Sequence, residues 1–311
     1  MKIGVALEDR PLEKRVVLEP KELRPFTKKH QVLVEEDAGL GVGISNKEYE
    51  KAGAEVASKK QVYACPLVVK IKDPIESELK LMKPGSTVFS MLHLRSQPHL
   101  VAILKKYKIN AIAMEEIRDQ FGTRTIEALH ETGYLGMTKG FELWGKDPSK
   151  AVVKVMGYGN VAQGAIQCAA RNLARVIVLN KRDVNELEKH IHGTDILVDG
   201  IYWPYKLRGK VYLVKRKMLK LFKPGAVIVD LTANPAGKSP IETVRPTTLA
   251  DISYKVDGVV HTACWGWPGL DPVNISKRYS VQVSSVLARI VKKGLNDLPD
   301  FIKHAYFEAA K

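Results

Sequence analysis

Short hydrophobic runs alternate along the chain with longer polar segments of helical length. In the first part of the sequence the hydrophobic runs cover residues 3–7, 32–35, 67–71, 87–91 and 111–114. The polar segments between them, which favour helices, cover 20–29, 46–52 and 98–106. Strands that alternate with segments of helical length predict βαβ units around a mainly parallel sheet.

The same alternation resumes after a long predicted helix over residues 125–144, which Gly145 and Pro148 terminate. The second series of predicted strands covers residues 152–156, 176–180, 196–199, 226–231 and 259–261. A final amphipathic stretch, 281–310, carries apolar residues at helical spacing. We expect this last helix to return to the first domain.

The length of 311 residues corresponds to about two domains of roughly 150 residues each. We predict an α/β protein with two Rossmann-like domains, each built on a parallel sheet. The first domain covers residues 1–130 plus 276–311, and the second covers 131–275.

Composition excludes several classes of protein. Hydrophobic residues make up 45% of the chain and charged residues 27%, which is typical of globular proteins and unlike disordered or fibrous ones. No apolar stretch approaches the roughly 20 residues that a membrane-spanning helix needs, and the first residues lack a signal-peptide pattern. Cys65, Cys168 and Cys264 are scattered and form no disulfide or metal-binding pattern. We therefore expect a cytoplasmic protein with reduced thiols, no bound metal and no membrane partner.

The net charge of +15 has three interpretations: a nucleic-acid binder, an enzyme that attracts small anions, or a well-solvated surface. The basic residues are spread over the whole chain, and aromatic residues, at 7%, do not interleave with them. This diffuse distribution disfavours nucleic-acid binding.

The strongest motif is a glycine-rich turn between a predicted strand and a predicted helix. Gly157, Gly159 and Ala162 occupy the three small-residue positions of the dinucleotide-binding pattern. The first permits a sharp turn, the second lets a pyrophosphate approach the backbone, and the third lets helix and strand pack closely. The helix that begins near Asn160 and Val161 presents free N–H groups to the phosphates. We predict a dinucleotide cofactor here; the alternative is a turn that only joins two elements.

The residues after the next strand indicate which dinucleotide is bound. Asn180 lies 23 residues after Gly157, near the position that reads the adenosine ribose. An acidic residue there would repel a 2′-phosphate, but this chain has Asn180, Lys181 and Arg182. Two cations suit a 2′-phosphate because charge-assisted hydrogen bonds are strong. We therefore favour NADP(H) over NAD(H), and the alternative is that both cations are solvated loop residues.

Beyond this turn, the chain resembles the alanine dehydrogenase and pyridine nucleotide transhydrogenase family over nearly its whole length. The segments that carry the resemblance are 1–5, 13–20, 34–41, 49–55, 69–74, 91–94, 223–230 and 245–248. The run at 159–165 is particularly similar to N5-(carboxyethyl)ornithine synthase, and saccharopine dehydrogenase is a more distant relative. The resemblance implies a substrate-binding first domain, a dinucleotide-binding second domain, a cofactor cleft between them and a homo-oligomer.

The resemblance also implies roles for individual residues. Arg15 and Lys72 would hold the carboxylate and carbonyl oxygen of a 2-oxo acid, and His93 would be the general acid and base. These residue types suit the roles, because arginine binds carboxylates, lysine stabilises a developing oxyanion and histidine exchanges protons near neutral pH. Lys70 and Glu115 would also bind the substrate. Thr132 would border the cofactor phosphates, and Trp267 would either face the cofactor or belong to the core.

One catalytic position departs from the family pattern. The family places an aspartate four residues after the strand-end Asp230, and this chain has Asn234 there. An amide cannot accept a proton or favour a nearby ammonium by its charge. Residues 116–133 and 265–268 also depart from the alanine dehydrogenase pattern, which indicates an altered substrate pocket.

These observations predict an NADPH-dependent oxidoreductase that joins a 2-oxo acid such as pyruvate to the amine of an amino acid, as an opine-forming enzyme does. The first alternative is an amino-acid dehydrogenase that uses ammonia. The second is a dinucleotide-binding protein that has lost its catalytic activity at Asn234.

Overall fold

The computed structural model describes residues 1–232 and 234–309. The chain folds as two compact units, which we call unit 1 (Met1–Glu127 with Asp271–Lys311) and unit 2 (Ala128–Leu270). In the structure the units change after Glu127 and after Leu270. The junctions proposed from the sequence, after residues 130 and 275, lie a few residues beyond these points.

Strands and helices alternate along the described chain. The strands are β1 (Lys2–Val5), β2 (Gln31–Glu35), β3 (Glu55–Ala57), β4 (Leu67–Lys72), β5 (Thr87–Met91), β6 (Asn110–Ala113), β7 (Val152–Met156), β8 (Arg175–Leu179), β9 (Ile196–Asp199), β10 (Val227–Asp230), β11 (Tyr254–Val256), β12 (Val259–Thr262) and β13 (Tyr306–Phe307). The α-helices are α1 (Pro20–Thr27), α2 (Asn46–Lys51), α3 (Lys59–Tyr63), α4 (Glu76–Leu79), α5 (Pro98–Tyr107), α6 (Leu129–Trp144), α7 (Asn160–Arg171), α8 (Lys181–Asn185), α9 (Leu187–His190), α10 (Pro272–Lys293) and α11 (Asp300–Lys303).

Unit 1 contains a seven-stranded sheet with the order β13-β6-β5-β4-β1-β2-β3. Each described pair of neighbours runs parallel except β13 with β6. Inner strands are hydrophobic on both faces, as parallel sheets require, and Val88 and Phe89 of β5 are both fully buried. The α/β prediction is confirmed, with one antiparallel strand at the edge of the sheet.

The order of strands in unit 1 marks one place on the sheet for a ligand. The chain passes from β1 to β2 on one side, whereas β4 and β5 lie on the other side. The strand order therefore reverses between the carboxyl ends of β1 and β4. Ligands of open α/β sheets bind at such a reversal, so the segments after β1 and β4 form the expected ligand site of unit 1.

Unit 2 contains a six-stranded sheet with the order β11-β12-β10-β9-β7-β8. All of its described pairs are parallel except β11 with β12. The chain passes from β7 to β8 on one side and then to β9 on the other side, so the strand order reverses between β7 and β9. The glycine-rich turn follows β7 and lies at this reversal.

Helices α6 and α7 of unit 2 pack with their backbones in close contact. A Cβ atom on Gly133 would lie 1.8 Å from the carbonyl oxygen of Val161. A Cβ atom on Gly164 would lie 1.9 Å from the carbonyl oxygen of His130. Neither position has room for a side chain, so the two glycines allow the contact that holds the first turns of α7 in place.

The C-terminal segment differs from the prediction. One helix was expected over 281–310, but α10 begins at Pro272 and ends before Gly294, which adopts a positive φ of 89°. The chain then forms α11 and the edge strand β13, so the single-helix prediction was wrong. The expected return to the first domain is found: Ser276 and Ser280 of α10 accept hydrogen bonds from the backbone N–H groups of Val16 (3.0 Å) and Glu19 (2.7 Å).

Two smaller differences concern unit 1 and the start of unit 2. The short strand β3 was not predicted, and α6 begins at Leu129 rather than at residue 125. In the described part of the chain, α10 and the other helices all fall short of the length or apolarity that crossing a membrane requires.

Candidate active site

Arg15 follows β1, and its guanidinium is paired with a neighbouring carboxylate inside unit 1. Its Nε and Nη2 atoms donate to the two carboxylate oxygens of Glu13, at 2.7 and 2.5 Å, and both side chains are about 2% exposed. Burial opposes the charge of Arg15, but the bonds to Glu13 outweigh it and raise the Arg15 pKa. The guanidinium is therefore permanently charged and fixed in orientation, with Nη1 outside the pairing with Glu13.

Lys72 ends β4, next to β1 in the sheet, and lies under the electrostatic influence of Arg15. Burial, together with the positive charge of Arg15, lowers the pKa of Lys72 to about 8. Its backbone is held by Glu8, whose buried carboxylate accepts hydrogen bonds from the N–H groups of Ile71 and Lys72, the latter at 3.1 Å. The charge of Arg15 therefore acts on Lys72 at the strand reversal of unit 1.

His93 follows β5, the strand that pairs with β4. Met91 is the register partner of Lys72, and His93 comes two residues later. The backbone of His93 is left-handed, with φ 48° and ψ 39°, and its side chain is 49% exposed. Two hydrogen bonds hold this turn, because the buried Glu115 accepts from the N–H groups of Leu92 (3.0 Å) and His93 (2.5 Å).

Lys70 does not share the environment of Lys72, although both belong to β4. Its side chain is 2% exposed and donates to both carboxylate oxygens of Glu78, at 2.8 and 2.9 Å, and to the hydroxyl of Tyr63, at 3.2 Å. The register of β4 against β5 shifts between Val69 and Lys72, so alternation along the strand does not place the two lysines alike. Lys70 is engaged inside the protein, where it stabilises the packing beneath the site.

Sequence reasoning missed the roles of Glu8 and Glu13, and it assigned Glu115 to substrate contact rather than to the backbone of His93. All three carboxylates are buried and lie beside the ends of neighbouring strands. A signal existed in the sequence for Glu8 and Glu115, because each directly follows a hydrophobic run, where a carboxylate needs a buried partner. The identity of that partner depends on strand order, which the sequence pattern leaves open.

The glycine-rich turn of unit 2 fits a dinucleotide. Gly157 has a positive φ of 94°, and a Cβ atom there would lie 2.9 Å from Cγ2 of Ile201. A Cβ atom on Gly159 would meet no atom of the described residues within 4 Å, so open space lies against this backbone. Ala162 packs closely against Gly200, because a Cβ atom on Gly200 would lie only 2.9 Å from the Cβ atom of Ala162. The turn, the open approach and the close helix packing therefore match the three predicted roles.

The first turn of α7 completes this cradle. Asn160 is exposed and Val161 is half-buried at the start of a helix of 12 residues. The first N–H groups of such a helix have no partner within it and attract phosphate oxygens. The residues present fit the diphosphate of a dinucleotide.

The segment after β8 begins a short helix. The side chain of Asn180 accepts hydrogen bonds from the N–H groups of Arg182 (2.8 Å) and Asp183 (3.3 Å), and Asp183 accepts from the N–H of Asn180 (3.0 Å). Asn180 is thus a helix cap. The side chains of Lys181 and Arg182 are exposed at this end of the sheet.

Two residues expected near the cofactor have partners within unit 2. Thr132 donates its hydroxyl to the carbonyl of Ala128 at 2.7 Å. Trp267 is 1% exposed and donates its indole N–H to the carbonyl of Asp230 at 3.2 Å. Its ring packs over Gly136, where a Cβ atom would lie 3.5 Å from the indole. The core interpretation of Trp267 is therefore the one that the structure supports.

Asn234 is buried at 3% exposure near the end of β10. Its amide donates to the hydroxyl of Thr232 at 2.7 Å, and that hydroxyl donates to Asp230 at 2.8 Å. The amide therefore belongs to a hydrogen-bond chain that ends on a buried carboxylate. These hydrogen bonds connect Asn234 to Asp230 at the end of β10.

Comparisons with known proteins agree with this architecture. A model of the alanine dehydrogenase/PNT N-terminal domain matches residues 4–133, and a model of the C-terminal domain of the same family matches residues 99–302. The chain is 28% identical to Alanine dehydrogenase 1 of Staphylococcus aureus (strain Mu50 / ATCC 700699), over 95% of this chain and 89% of that protein. It is 29% identical, with the same coverage, to Alanine dehydrogenase 1 of the bovine strain RF122 / ET3-1.

Solved structures show the same relationship. An L-alanine dehydrogenase aligns over 100% of this chain and 96% of its own, with a TM-score of 0.85 and 25% identity. A transhydrogenase from Sinorhizobium meliloti aligns over 94% of this chain and 95% of its own, with a TM-score of 0.77 and 21% identity, which shows the shared fold. These neighbours imply a nicotinamide dinucleotide cofactor. The chain belongs to the alanine dehydrogenase/PNT family and is an oxidoreductase of the alanine dehydrogenase type.

Proposed function

We propose that this protein reduces the imine formed from a small 2-oxo acid and an amine, and that it also catalyses the reverse oxidation. The observation that carries the proposal is that the charge of Arg15 acts on Lys72, which ends β4 at the strand reversal of unit 1. A fixed guanidinium whose charge acts on an ammonium with a lowered pKa suits a ligand with adjacent carboxylate and carbonyl groups.

Arg15 would bind the substrate carboxylate through the edge of its guanidinium that does not face Glu13. Glu13 occupies Nε and one N–H of Nη2, so Nη1 and the second N–H of Nη2 are the donors that the pairing leaves to a substrate. Because Glu13 fixes the plane of the guanidinium, this edge needs little reorganisation when a carboxylate binds.

Lys72 and His93 would act at the reacting carbon. The ammonium of Lys72 would stabilise negative charge on the carbonyl oxygen while the amine adds. His93, half-exposed after β5, would take up and return protons as water leaves and the imine forms. When bound, the nicotinamide supplies the hydride that reduces the imine carbon, and the imine nitrogen takes a proton.

The identity of the amine divides this proposal into two candidates. The named relatives are alanine dehydrogenases, which favours ammonia as the amine and alanine as the product. Asn234 favours the amine of an amino acid and an opine-like product, because an amide lacks the charge with which an aspartate would favour ammonium.

We also propose that NADP(H) is the preferred cofactor. Lys181 and Arg182 are exposed at the start of α8, after the strand that neighbours the glycine-rich turn. Their position supports contact with a 2′-phosphate.

A steady-state assay tests the proposed reaction. NADPH and NADH oxidation would be followed at saturating pyruvate with ammonia or with each of a panel of amino acids. Turnover with ammonia alone selects the dehydrogenase candidate, and turnover with an amino acid selects the opine-like candidate. Arg15→Lys should lose most of kcat/KM for the 2-oxo acid, whereas the exposed Lys14→Ala control should keep it.

The absence of turnover with every amine, despite measurable cofactor binding, would contradict the proposal. That result would instead support a dinucleotide-binding protein without catalysis.

A further inference from the structure

We propose that Glu115 is a positioning residue for His93, rather than a substrate contact. Its buried carboxylate holds the backbone of His93 in a left-handed conformation and thereby fixes where the imidazole stands. This inference rests on the proposed function, in which His93 transfers protons.

The first observation is the conformation of His93. A residue with a β-carbon seldom adopts φ 48° and ψ 39°, because the side chain crowds the following carbonyl group. Such a conformation persists only where the surrounding structure enforces it. A residue that enforces the left-handed conformation of His93 must contact the backbone of this turn.

The second observation is the pair of hydrogen bonds that Glu115 accepts. Oε2 accepts from the N–H of Leu92 at 3.0 Å, and Oε1 accepts from the N–H of His93 at 2.5 Å. Two consecutive N–H groups thus point at one carboxylate that is 2% exposed. A negative charge with two N–H donors is stabilised where a lone buried carboxylate would not be.

The third observation is where Glu115 comes from. It stands in the short turn Met114–Glu116 after β6, and β6 pairs in parallel with β5, so that Ala113 is the partner of Ser90. The carboxylate therefore ties together the ends of two adjacent strands. The position of His93 is set by the sheet and not only by its own loop.

The fourth observation is the relation between the two side chains. Nδ1 of His93 lies 3.9 Å from Oε1 of Glu115, while the imidazole is 49% exposed. One side of the ring thus faces the buried carboxylate, and much of the remainder is open to a ligand. This arrangement leaves the ring accessible for proton transfer while its backbone stays fixed.

The same device recurs at the neighbouring strand ends. Glu8 accepts hydrogen bonds from the backbone N–H groups of Ile71 and Lys72. Glu13 accepts two hydrogen bonds from the guanidinium of Arg15. Arg15, the backbone at Lys72 and the backbone of His93 are therefore each held by a buried carboxylate. The hydrogen bonds from Leu92 and His93 to Glu115 follow this pattern.

Two variants separate positioning from substrate contact. Glu115→Gln keeps the shape of the side chain but presents an NH2 group to one of the two N–H donors. Glu116→Gln is the matched control, because Glu116 is adjacent and its carboxylate faces Arg95, at 3.9 Å, near the surface. We expect Glu115→Gln to lower kcat by about 100-fold, since small misplacement of a catalytic group has effects of this size. The KM for the 2-oxo acid should change less than about twofold in both variants, as expected where ground-state binding is kept.

A second measurement does not require turnover. Backbone NMR of the full chain gives the amide exchange rates of Leu92 and His93 and the Cα and Cβ shifts that report the left-handed conformation. Glu115→Gln should speed exchange at both amides and shift His93 away from that conformation, whereas Glu116→Gln should change neither.

The outcomes distinguish this inference from the proposed function. A wild-type protein without turnover contradicts the proposed function, and the NMR comparison then still decides whether Glu115 holds the turn. An active wild type with equal kcat in both variants overturns the positioning role. A raised KM with unchanged kcat in Glu115→Gln also overturns it, because that result is the sign of direct substrate binding.

Discussion

Asp199 at the end of β9 is the register partner of Asp230 at the end of β10, and both carboxyl groups are fully buried. Asp230 accepts from the hydroxyl groups of Thr232 (2.8 Å) and Ser239 (2.9 Å). In contrast, Oδ2 of Asp199 has no hydrogen-bond partner among the described residues. Two neighbouring buried carboxyl groups oppose each other's ionisation, so burial and Asp230 both disfavour a charge on Asp199.

This relationship predicts that Asp199→Asn stabilises the protein at neutral pH but not at acid pH. Burial and the charge of Asp230 raise the pKa of Asp199 well above its ordinary value. In the unfolded chain Asp199 ionises at ordinary pH, so wild-type stability falls as the pH rises above that unfolded pKa. Asparagine cannot ionise, and the variant escapes this loss.

Thermal unfolding at pH 4 and pH 7 checks the prediction. The melting temperature of Asp199→Asn should exceed that of the wild type at pH 7 only, while the exposed Asp251→Asn should match the wild type at both pH values. An equal increase at both pH values would show that packing, and not ionisation, explains the gain.

Lys72 predicts how binding of the 2-oxo acid depends on pH. Its pKa of about 8 means that the ammonium loses its charge just above neutral pH. The Kd of oxamate, an unreactive 2-oxo acid analogue, should be flat below this pH and rise above it toward about tenfold per pH unit. Calorimetric titration from pH 6.5 to 9.5 measures this dependence.

Lys72→Arg provides the control, because a guanidinium stays charged over the whole range. The Kd of this variant should be weaker overall but constant above pH 8. A wild-type Kd that is constant to pH 9.5 would mean that Lys72 does not contact the anion.

Substitution by alanine is predicted to affect cofactor binding at Gly159 and protein stability at Gly164. Gly159 faces open space, so Gly159→Ala should fold normally and weaken NADPH binding about tenfold or more by blocking the phosphate. Gly164→Ala would place a Cβ atom 1.9 Å from a backbone carbonyl, and overpacking of this kind costs about 1–3 kcal/mol or more. Urea unfolding and NADPH fluorescence measure the two effects. Unchanged NADPH affinity in Gly159→Ala would exclude phosphate contact at this turn.

Lys181 and Arg182 predict the choice between the two cofactors. Replacing both with alanine should weaken NADPH binding by about 10- to 100-fold, the size expected for losing charged hydrogen bonds, and leave NADH binding unchanged. The exposed Lys220→Ala serves as the control for loss of surface charge. Equal weakening of NADPH and NADH would show that these cations act only through general attraction.

Local pattern predicted much of the fold and part of the site. The alternation of strands and helices, the glycine-rich turn and the residue pattern of the family were readable because each depends on neighbours in the sequence. The glycine-rich turn was recognisable since its conformation requires small residues at fixed spacing. The C-terminal prediction failed at Gly294 because the amphipathic pattern continues past a residue that ends the helix.

The sequence by itself determined the α/β architecture, the family and the candidate residues Arg15, Lys72 and His93. Only the tertiary structure decided that Lys70 is tied to Glu78 and that Trp267 belongs to the core. It also decided which buried glutamate holds Arg15, the end of β4 and the turn at His93. The physical reason is that a buried carboxylate is stabilised by whichever donors the sheet brings beside it, and strand order joins residues that lie far apart along the chain.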